Sequence, residues 1–480
     1  MTVMSIGRAL SWHAEQDPDR ISVTDAAGAV TRRELDLRSN RLARAYAGLG
    51  VGKDDLVTIG LPNSVEYFVS CAAIWKLGAV PQPVSAGLPA AELSVLVDLA
   101  DPALLVGLEH PGRAAVPAGF DASGYDDGPL PDAIGFSWKA PTSGGSTGRP
   151  KLILSGTPGE VDPTVAAVPY IPRDGVQLVP GPLYHNGPFI YSTRGLLSGQ
   201  SLVVMERFGA ERVLQLVEQH RITWMLLVPT MMHRIRRLPE QVRASYDVSS
   251  LEMILHLGAP CPPWLKREWI DWLGPDRVVE LYAGTESQAV TVITGREWVE
   301  RPGSVGRPVL GSRIRVLDPD GRDVPTGTVG EIYMMPAGGP GTTYSYRGAE
   351  PRSIDGWESL GDLGHVDDDG YLYLADRSAD LILSGGANVY PAEVEAALDA
   401  HPAVRSSAVF GLPDEDLGER VHAVVDVAGA DVSVAELMTH VSERLVRYKV
   451  PRSVEIVHDL LRDDSGKLRR SALRTARLPD

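Results

Sequence analysis

The chain has 480 residues, 44% of them hydrophobic and 22% charged, with a formal charge of −16. That length exceeds one ordinary core and calls for two or more domains, and the acidic balance excludes a broad nucleic-acid footprint while leaving room for a local basic pocket. Cys71 and Cys261 cannot build a disulfide framework and suit a reducing cytoplasm, no apolar run reaches the roughly 18 residues that span a bilayer, and the N-terminus, with His13, Glu15 and Asp17 close behind it, does not resemble a secretion signal.

In chain order, a short helical segment leads to a strand at Ile21–Val23 and a turn from Asp25 to Gly28. Thr31 with Glu34 three residues on fits a capping box, opening a helix that ends near Gly48 and Gly50. Val57–Ile59 reads as a strand, and Asn63 as the cap of a helix carrying Phe68, Ala72 and Trp75. This alternation predicts an α/β layered domain. Residues 111–133, rich in Gly, Pro and Asp, read as loop, and Ile134 to Lys139 as a strand.

That strand runs into Thr142-Ser143-Gly144-Gly145-Ser146-Thr147-Gly148-Arg149-Pro150-Lys151. Glycines let a backbone curl with its N–H groups inward, hydroxyls add donors and the lysine adds charge, so the stretch suits a phosphate chain. It is not G-x-x-x-x-G-K-[ST]: the glycine spacing fails and Leu152 stands where a magnesium-binding hydroxyl belongs. Alone, it reads equally as a surface turn.

Further on, apolar strands repeatedly run into polar loops: Leu178-Val179 into Gly181–Gly187, Leu251–Leu255 into His256–Pro260, and Val278–Leu281 into Tyr282–Glu286. In α/β sheets ligands bind at such strand ends. From residue 305 short strands and Gly/Pro/Asp turns predict a small β unit. Beyond 381 a helix starting at Pro391, strands at 404–410 and 421–427 and a helix at 433–446 predict a small α+β unit. The expected division is residues 1–376 and 377–480, with the cut near 376–380.

Six stretches together resemble the adenylate-forming ligases, the superfamily of acyl-CoA synthetases, peptide-synthetase adenylation domains and beetle luciferases. They are Ser143–Lys151, His256–Pro260, Tyr282–Glu286, Gly361–Gly364, Asp376-Arg377 through Ser384–Gly386, and Asp464–Arg469. The likeness runs the full length. It implies a large N-terminal domain of layered α/β subdomains plus a small β subdomain, followed by a small mobile α+β domain. It also implies ATP, Mg²⁺ and coenzyme A as ligands and a carboxylic acid as substrate.

By position, Ser146, Thr147, Gly148 and Lys151 resemble the grip on the β- and γ-phosphates. Gly258, Ala259 and Tyr282 resemble the adenine pocket, Thr285 the α-phosphate contact and Glu286 the magnesium ligand, a hard oxygen for a hard cation. Asp362 resembles the carboxylate that accepts the ribose hydroxyls, supported by Arg377. Lys467 resembles the mobile catalytic lysine, and His185 the gating side chain of the acyl site. Ser384, Gly385 and Gly386 resemble the wall of the pantetheine tunnel, where a narrow passage would tolerate no side chain.

Three residues depart from the family pattern. Gly144 stands where a hydroxyl is usual, and Leu152 replaces the glycine after the lysine, which stiffens the chain there. The hinge position, usually Asp or Lys, is Ala379. The acyl pocket is expected near 185–189, 226–232, 256–260, Gly284 and Gln288. No Asp near residue 182 awaits an amino group, so a neutral acyl tail is favoured, and Gly187, Gly258 and Gly284 suggest room for bulk. Tyr184–Gly187 resembles some bile-acid or steroid CoA ligases. The reading is thus a bulky, hydrophobic carboxylic acid joined to CoA with AMP released, by a monomer or homodimer. Alternatives are a variant dominated by thioester formation, a ligase loading a carrier protein, and a non-catalytic adenylate binder.

Overall fold

The computed structural model describes residues 2–144, 150–165, 171–172, 174–463 and 466–478. Its main sheet has a parallel half in the order Ile21–Thr24, Ser201–Val204, Val176–Val179, Trp224–Leu227, Met253–His256 and Val278–Ala283. Trp224–Leu227 and Met253–His256 are buried at every position, as the apolar runs Trp224–Leu227 and Met253–Leu255 require. At Val278–Ala283 the pairing turns antiparallel. It continues through Val290–Thr294, Ser304–Pro308, Leu372–Arg377, Trp357–Val366 and Gly330–Met335 to Arg313–Leu317. The β unit expected from residue 305 therefore shares its sheet with the parallel strands.

A second, four-stranded parallel sheet joins Val80–Pro83, Leu56–Ile59, Leu104–Val106 and Ala115–Val116. The C-terminal part has its own five-stranded sheet, Ala387–Val389, Ile382–Ser384, Gly418–Asp426 and Ser406–Asp414, with Ser453–Val457 beside Gly418–Asp426. Helices Pro391–Asp399 and Val434–Ser442 cover it, burying Val394, Leu398, Leu437 and Val441 against Val409, Val421 and Val425. The architecture is a large mixed α/β domain followed by a small α+β domain.

The Thr31–Glu34 capping box forms, both bonds present. Two expectations fail. Asn63 does not cap its helix; Ser64 does, accepting from the Tyr67 N–H. Asn63 instead donates to the carbonyls of Gly181 (2.8 Å) and Met205 (3.0 Å) and accepts from the Leu183 N–H, tying two loops together. Residues 134–139 form no strand. The Phe136 N–H is taken by Asp54, and the Ser137 hydroxyl bonds the Lys139 carbonyl, so side chains compete for the groups a ladder needs. Among the described residues no helix is long and apolar enough to cross a membrane.

Candidate active site

Pro150–Ser155 pairs with Thr142–Gly144 on one side and with Tyr344–Arg347 on the other, a three-stranded sheet outside the main one. Ser146, Thr147 and Gly148, the predicted phosphate grip, lie outside the described residues. Lys151 stands at their exit. Its Nζ donates to Glu286 Oε1 at 3.0 Å and to the Tyr346 hydroxyl at 2.7 Å, and that hydroxyl donates to the same Glu286 oxygen at 2.5 Å. Burial, and then the Glu286 charge, push the Tyr346 phenol up, so it stays a neutral donor. Leu152, next in the strand, is fully buried beside Leu56, Val80 and Leu154, which accounts for a stiff residue there.

Glu286 comes from a tight loop between two antiparallel strands. Ser287 N–H closes a turn onto the Gly284 carbonyl at 3.1 Å, with Thr285 and Glu286 between them and Ser287 at φ +58°. A left-handed serine beside a buried carboxylate is the kind of strain that accumulates at functional sites. Gly284 has no spare room: a Cβ there would lie 2.3 Å from Leu360 and 3.0 Å from Glu286 Oε2. Gly187 is likewise filled, its Cβ position 3.1 Å from Leu257. These glycines therefore mark close packing and not the expected space for a bulky tail.

Across the cleft, Asp362 and Arg377 face each other as register partners on neighbouring strands. Arg377 Nε lies 3.3 Å from Asp362 Oδ1, and the Tyr282 hydroxyl donates to Asp362 Oδ2 at 2.7 Å. Burial and the Asp362 charge hold the Tyr282 phenol well above its ordinary range. Gly258, with φ +89°, and Ala259 follow the strand beside that of Tyr282. Residues expected from separate motifs to hold the nucleotide, Tyr282, Asp362 and Arg377, are thus joined through the Asp362 carboxylate.

Lys467 lies next to Leu468, which bridges Arg462. The Gly466 N–H bonds the Asp463 carbonyl at 2.9 Å, the Lys467 N–H bonds Asp463 Oδ1 at 2.9 Å, and Arg462 Nη1 reaches the Gly466 carbonyl at 3.3 Å. Partial burial lowers the Lys467 ammonium, opposed by Asp463 and reinforced by Arg377. His185, at the start of helix Asn186–Leu197, is pushed down to about 4 by burial and by the Lys467 charge, so its ring is neutral at pH 7. Lys467 is therefore an electrostatic neighbour of both Arg377 and His185.

Ser384, Gly385 and Gly386 lie elsewhere, in a two-residue hairpin turn with Gly385 at φ +57° and Gly386 at φ +78°. Both angles are left-handed, the pattern of a type I′ turn. A Cβ on Gly386 would meet nothing within 4 Å. The turn accounts for both glycines, a Cβ on Gly385 would lie 3.2 Å from Leu417, and among the described residues no hydrogen bond or ion pair joins this turn to Asp362, Arg377 or Lys467. Phe189 is core, stacked on Trp138 and packed against Tyr67 and Trp75, and does not line the acyl site.

The sequence reading missed two residues. Tyr346 reaches the site only through the pairing of its strand with Pro150–Ser155. Lys139 is buried, donates to Asn186 Oδ1 at 2.8 Å and is held down to about 7 by burial and by Arg194. Its one visible signal is a charge closing the run Ile134–Trp138.

The family model described as AMP-binding enzyme matches residues 10–126 and 141–346, and that of the AMP-binding enzyme C-terminal domain matches 393–467. A feruloyl-CoA synthase from Amycolatopsis sp is 34% identical over 97% of this chain and 98% of its own. A fatty acid–[acyl-carrier-protein] ligase from Streptomyces coeruleorubidus is 30% identical over 98% and 96%. The ATP-bound MatB from Rhodopseudomonas palustris superposes with a TM-score of 0.82 at 27% identity, over 98% of this chain and 99% of that one. The chain belongs to the adenylate-forming AMP-binding enzymes and is an AMP-forming acid–thiol ligase.

Proposed function

We propose that the acid this ligase activates is a hydrophobic carboxylic acid, and that its residues divide the work as follows. Lys151 and the loop before it hold the β- and γ-phosphates of ATP. Asp362, with two carboxylate oxygens facing Tyr282 and Arg377, accepts the ribose hydroxyls, and Gly258, Ala259 and Tyr282 bound the adenine. Thr285 touches the α-phosphate. Glu286 fits Mg²⁺: it is a hard oxygen donor beside the phosphate grip, and no group of three metal-binding side chains occurs among the described residues, so phosphate oxygens would complete the shell. When bound, the cation offsets triphosphate charge.

In the first step a carboxylate oxygen of the acid attacks the α-phosphorus and the bond to pyrophosphate breaks. Lys467 supplies a cation where negative charge builds between carboxylate and phosphate. Neutral His185 borders the acyl site without taking a proton. In the second step the thiol of CoA loses its proton, its sulfur attacks the acyl carbon and AMP leaves with the bonding pair. Residues 1–376 and 377–480 act as the two units of this cycle, and Ser384–Gly386 flank the incoming pantetheine.

The observation that carries this reading is the Asp362 carboxylate held between the Arg377 guanidinium and the Tyr282 hydroxyl, with the Lys467 ammonium near enough to feel the Arg377 charge. The hydrophobic acid is supported by the apolar side chains Leu226 and Leu257 near His185 and by the lack of an Asp near residue 182 to meet an amino group. A panel of aryl, fatty and polycyclic acids with ATP, Mg²⁺ and CoA, read by mass spectrometry for acyl-AMP and acyl-CoA separately, tests it. Turnover of an apolar acid is expected, and exclusive use of dicarboxylic or amino acids would refute the substrate class. Lys467→Ala should abolish acyl-AMP formation while sparing acyl-CoA formation from supplied acyl-AMP.

A further inference from the structure

Helix Pro229–Arg236 is anchored in the large domain. Met231, Met232 and Ile235 are buried, and Trp269 Nε1 donates to the Met232 carbonyl at 3.3 Å. The C-terminal domain touches both ends of this helix. At its start, Thr230 packs against Gly466, so closely that a Cβ on Gly466 would lie 2.4 Å from Thr230 Oγ1. At its end, the Arg237 guanidinium donates one N–H to the Val404 carbonyl and another to the Pro402 carbonyl. Those carbonyls lie in the turn between helix Pro391–Asp399 and strand Ser406–Asp414. Asp399 and Asp426 attract the Arg237 charge and Arg405 opposes it.

The two contacts are separated by about 10 Å of helix. One touch would leave the small domain free to pivot; two at that spacing fix its tilt as well as its position. Gly466 immediately precedes Lys467, so the tilt sets where the ammonium points. A planar guanidinium gripping two backbone carbonyls is direction-sensitive in a way that a lone ammonium is not.

We infer that Arg237 is a positioning residue for the adenylation step: it latches the C-terminal domain onto helix Pro229–Arg236 in the orientation that delivers Lys467 to the Arg377 side of the cleft. This rests on the reading of Lys467 given above. Arg237 touches no reacting atom, and its effect is confined to the half-reaction that uses this orientation.

The test compares wild type, Arg237→Ala and Arg237→Lys in two separate assays, acyl-AMP formation from acid and MgATP, and acyl-CoA formation from supplied acyl-AMP. Arg237→Ala should slow acyl-AMP formation about tenfold, the scale of a lost hydrogen bond from a charged group, by lowering kcat with little change in the KM for ATP. Acyl-CoA formation from supplied acyl-AMP should be unchanged or faster, and Arg237→Lys should be intermediate. Hydrogen exchange, which needs no substrate, should be faster in Arg237→Ala across residues 229–237 and 400–404 at an unchanged melting temperature. Unchanged acyl-AMP formation, an equal fall in both assays, or unaltered exchange would each overturn the latch. A wild-type protein that forms no acyl-AMP while exchange still responds to Arg237→Ala would overturn the activity reading and leave the latch standing.

Discussion

Tyr346 contributes one hydroxyl that joins a cation to a carboxylate. It accepts from Lys151 and donates to Glu286, so it orients both groups toward each other. Tyr346→Phe keeps the ring under the Lys151 ammonium, 4.0 Å from its centroid, and removes only the hydroxyl. Losing hydrogen bonds to charged groups should lower kcat/KM for ATP about tenfold, read by pyrophosphate release, with little effect on the acid's KM. An unchanged kcat/KM would remove Tyr346 from the site. Lys151, Glu286, Asp362 and Arg377 stand out in the sequence because each sits in a short motif, and the structure sets Lys151 against Glu286 and Asp362 against Arg377. Tyr346 was not, because it is 195 residues from Lys151 and the two meet only through strand register. The glycines taught the opposite lesson. Gly284 and Gly386 were readable as special, but whether a glycine marks open space, a close neighbour or a left-handed turn is decided by what stands opposite it.

Helices with reciprocal caps were the most legible elements, since Thr31 with Glu34 carries its own start signal. The segment 134–139 was misread because apolar residues alone cannot reveal that Asp54 and Ser137 take its backbone groups. Helix Pro391–Asp399 carries a different hidden feature at its last residue. Asp399 is raised to about 7 by burial, against the pull of Arg462 and the Ser407 hydroxyl bonded at 2.7 Å. A carboxylate at a helix C-terminus is also disfavoured by the dipole. A folded-state pKa above the unfolded value near 3.9 means the native state binds more protons between roughly pH 4 and 7, so stability falls as pH rises through that window. Asp399→Asn keeps an acceptor for Ser407 without the charge. It should raise the melting temperature of the C-terminal domain by about 4 °C at pH 8 and far less at pH 5. Equal shifts at both pH values would assign the effect to packing instead.

At the scale of the whole molecule, the junction between the two sheets spans Ser378–Asp380, a single 3-10 turn between the strand ending at Arg377 and the one beginning at Ile382. Asp380 is ion-paired with Arg470, just beyond Lys467, so the far side of the junction and the lysine belong to one small domain. A cycle that uses Lys467 first and a different face of that domain second requires the junction's dihedrals to change. Ser378 is the place to oppose that change without disturbing the present setting. Arg377 before it is extended at φ −88° and ψ 139°, which a following proline favours. Ser378 is exposed and opens the 3-10 turn, a position whose φ near −60° proline shares. Ser378→Pro should therefore hold the domain where Lys467 faces Arg377. Acyl-AMP formation in a single turnover should be retained, while acyl-CoA formation from supplied acyl-AMP should fall about tenfold or more, the reverse of the split expected for Arg237→Ala. A stalled second step would accumulate enzyme-bound acyl-AMP, visible on quenching. If Ser378→Pro formed acyl-CoA at the wild-type rate, thioester formation would not need rotation at this junction, and one orientation of the domain would have to serve both steps.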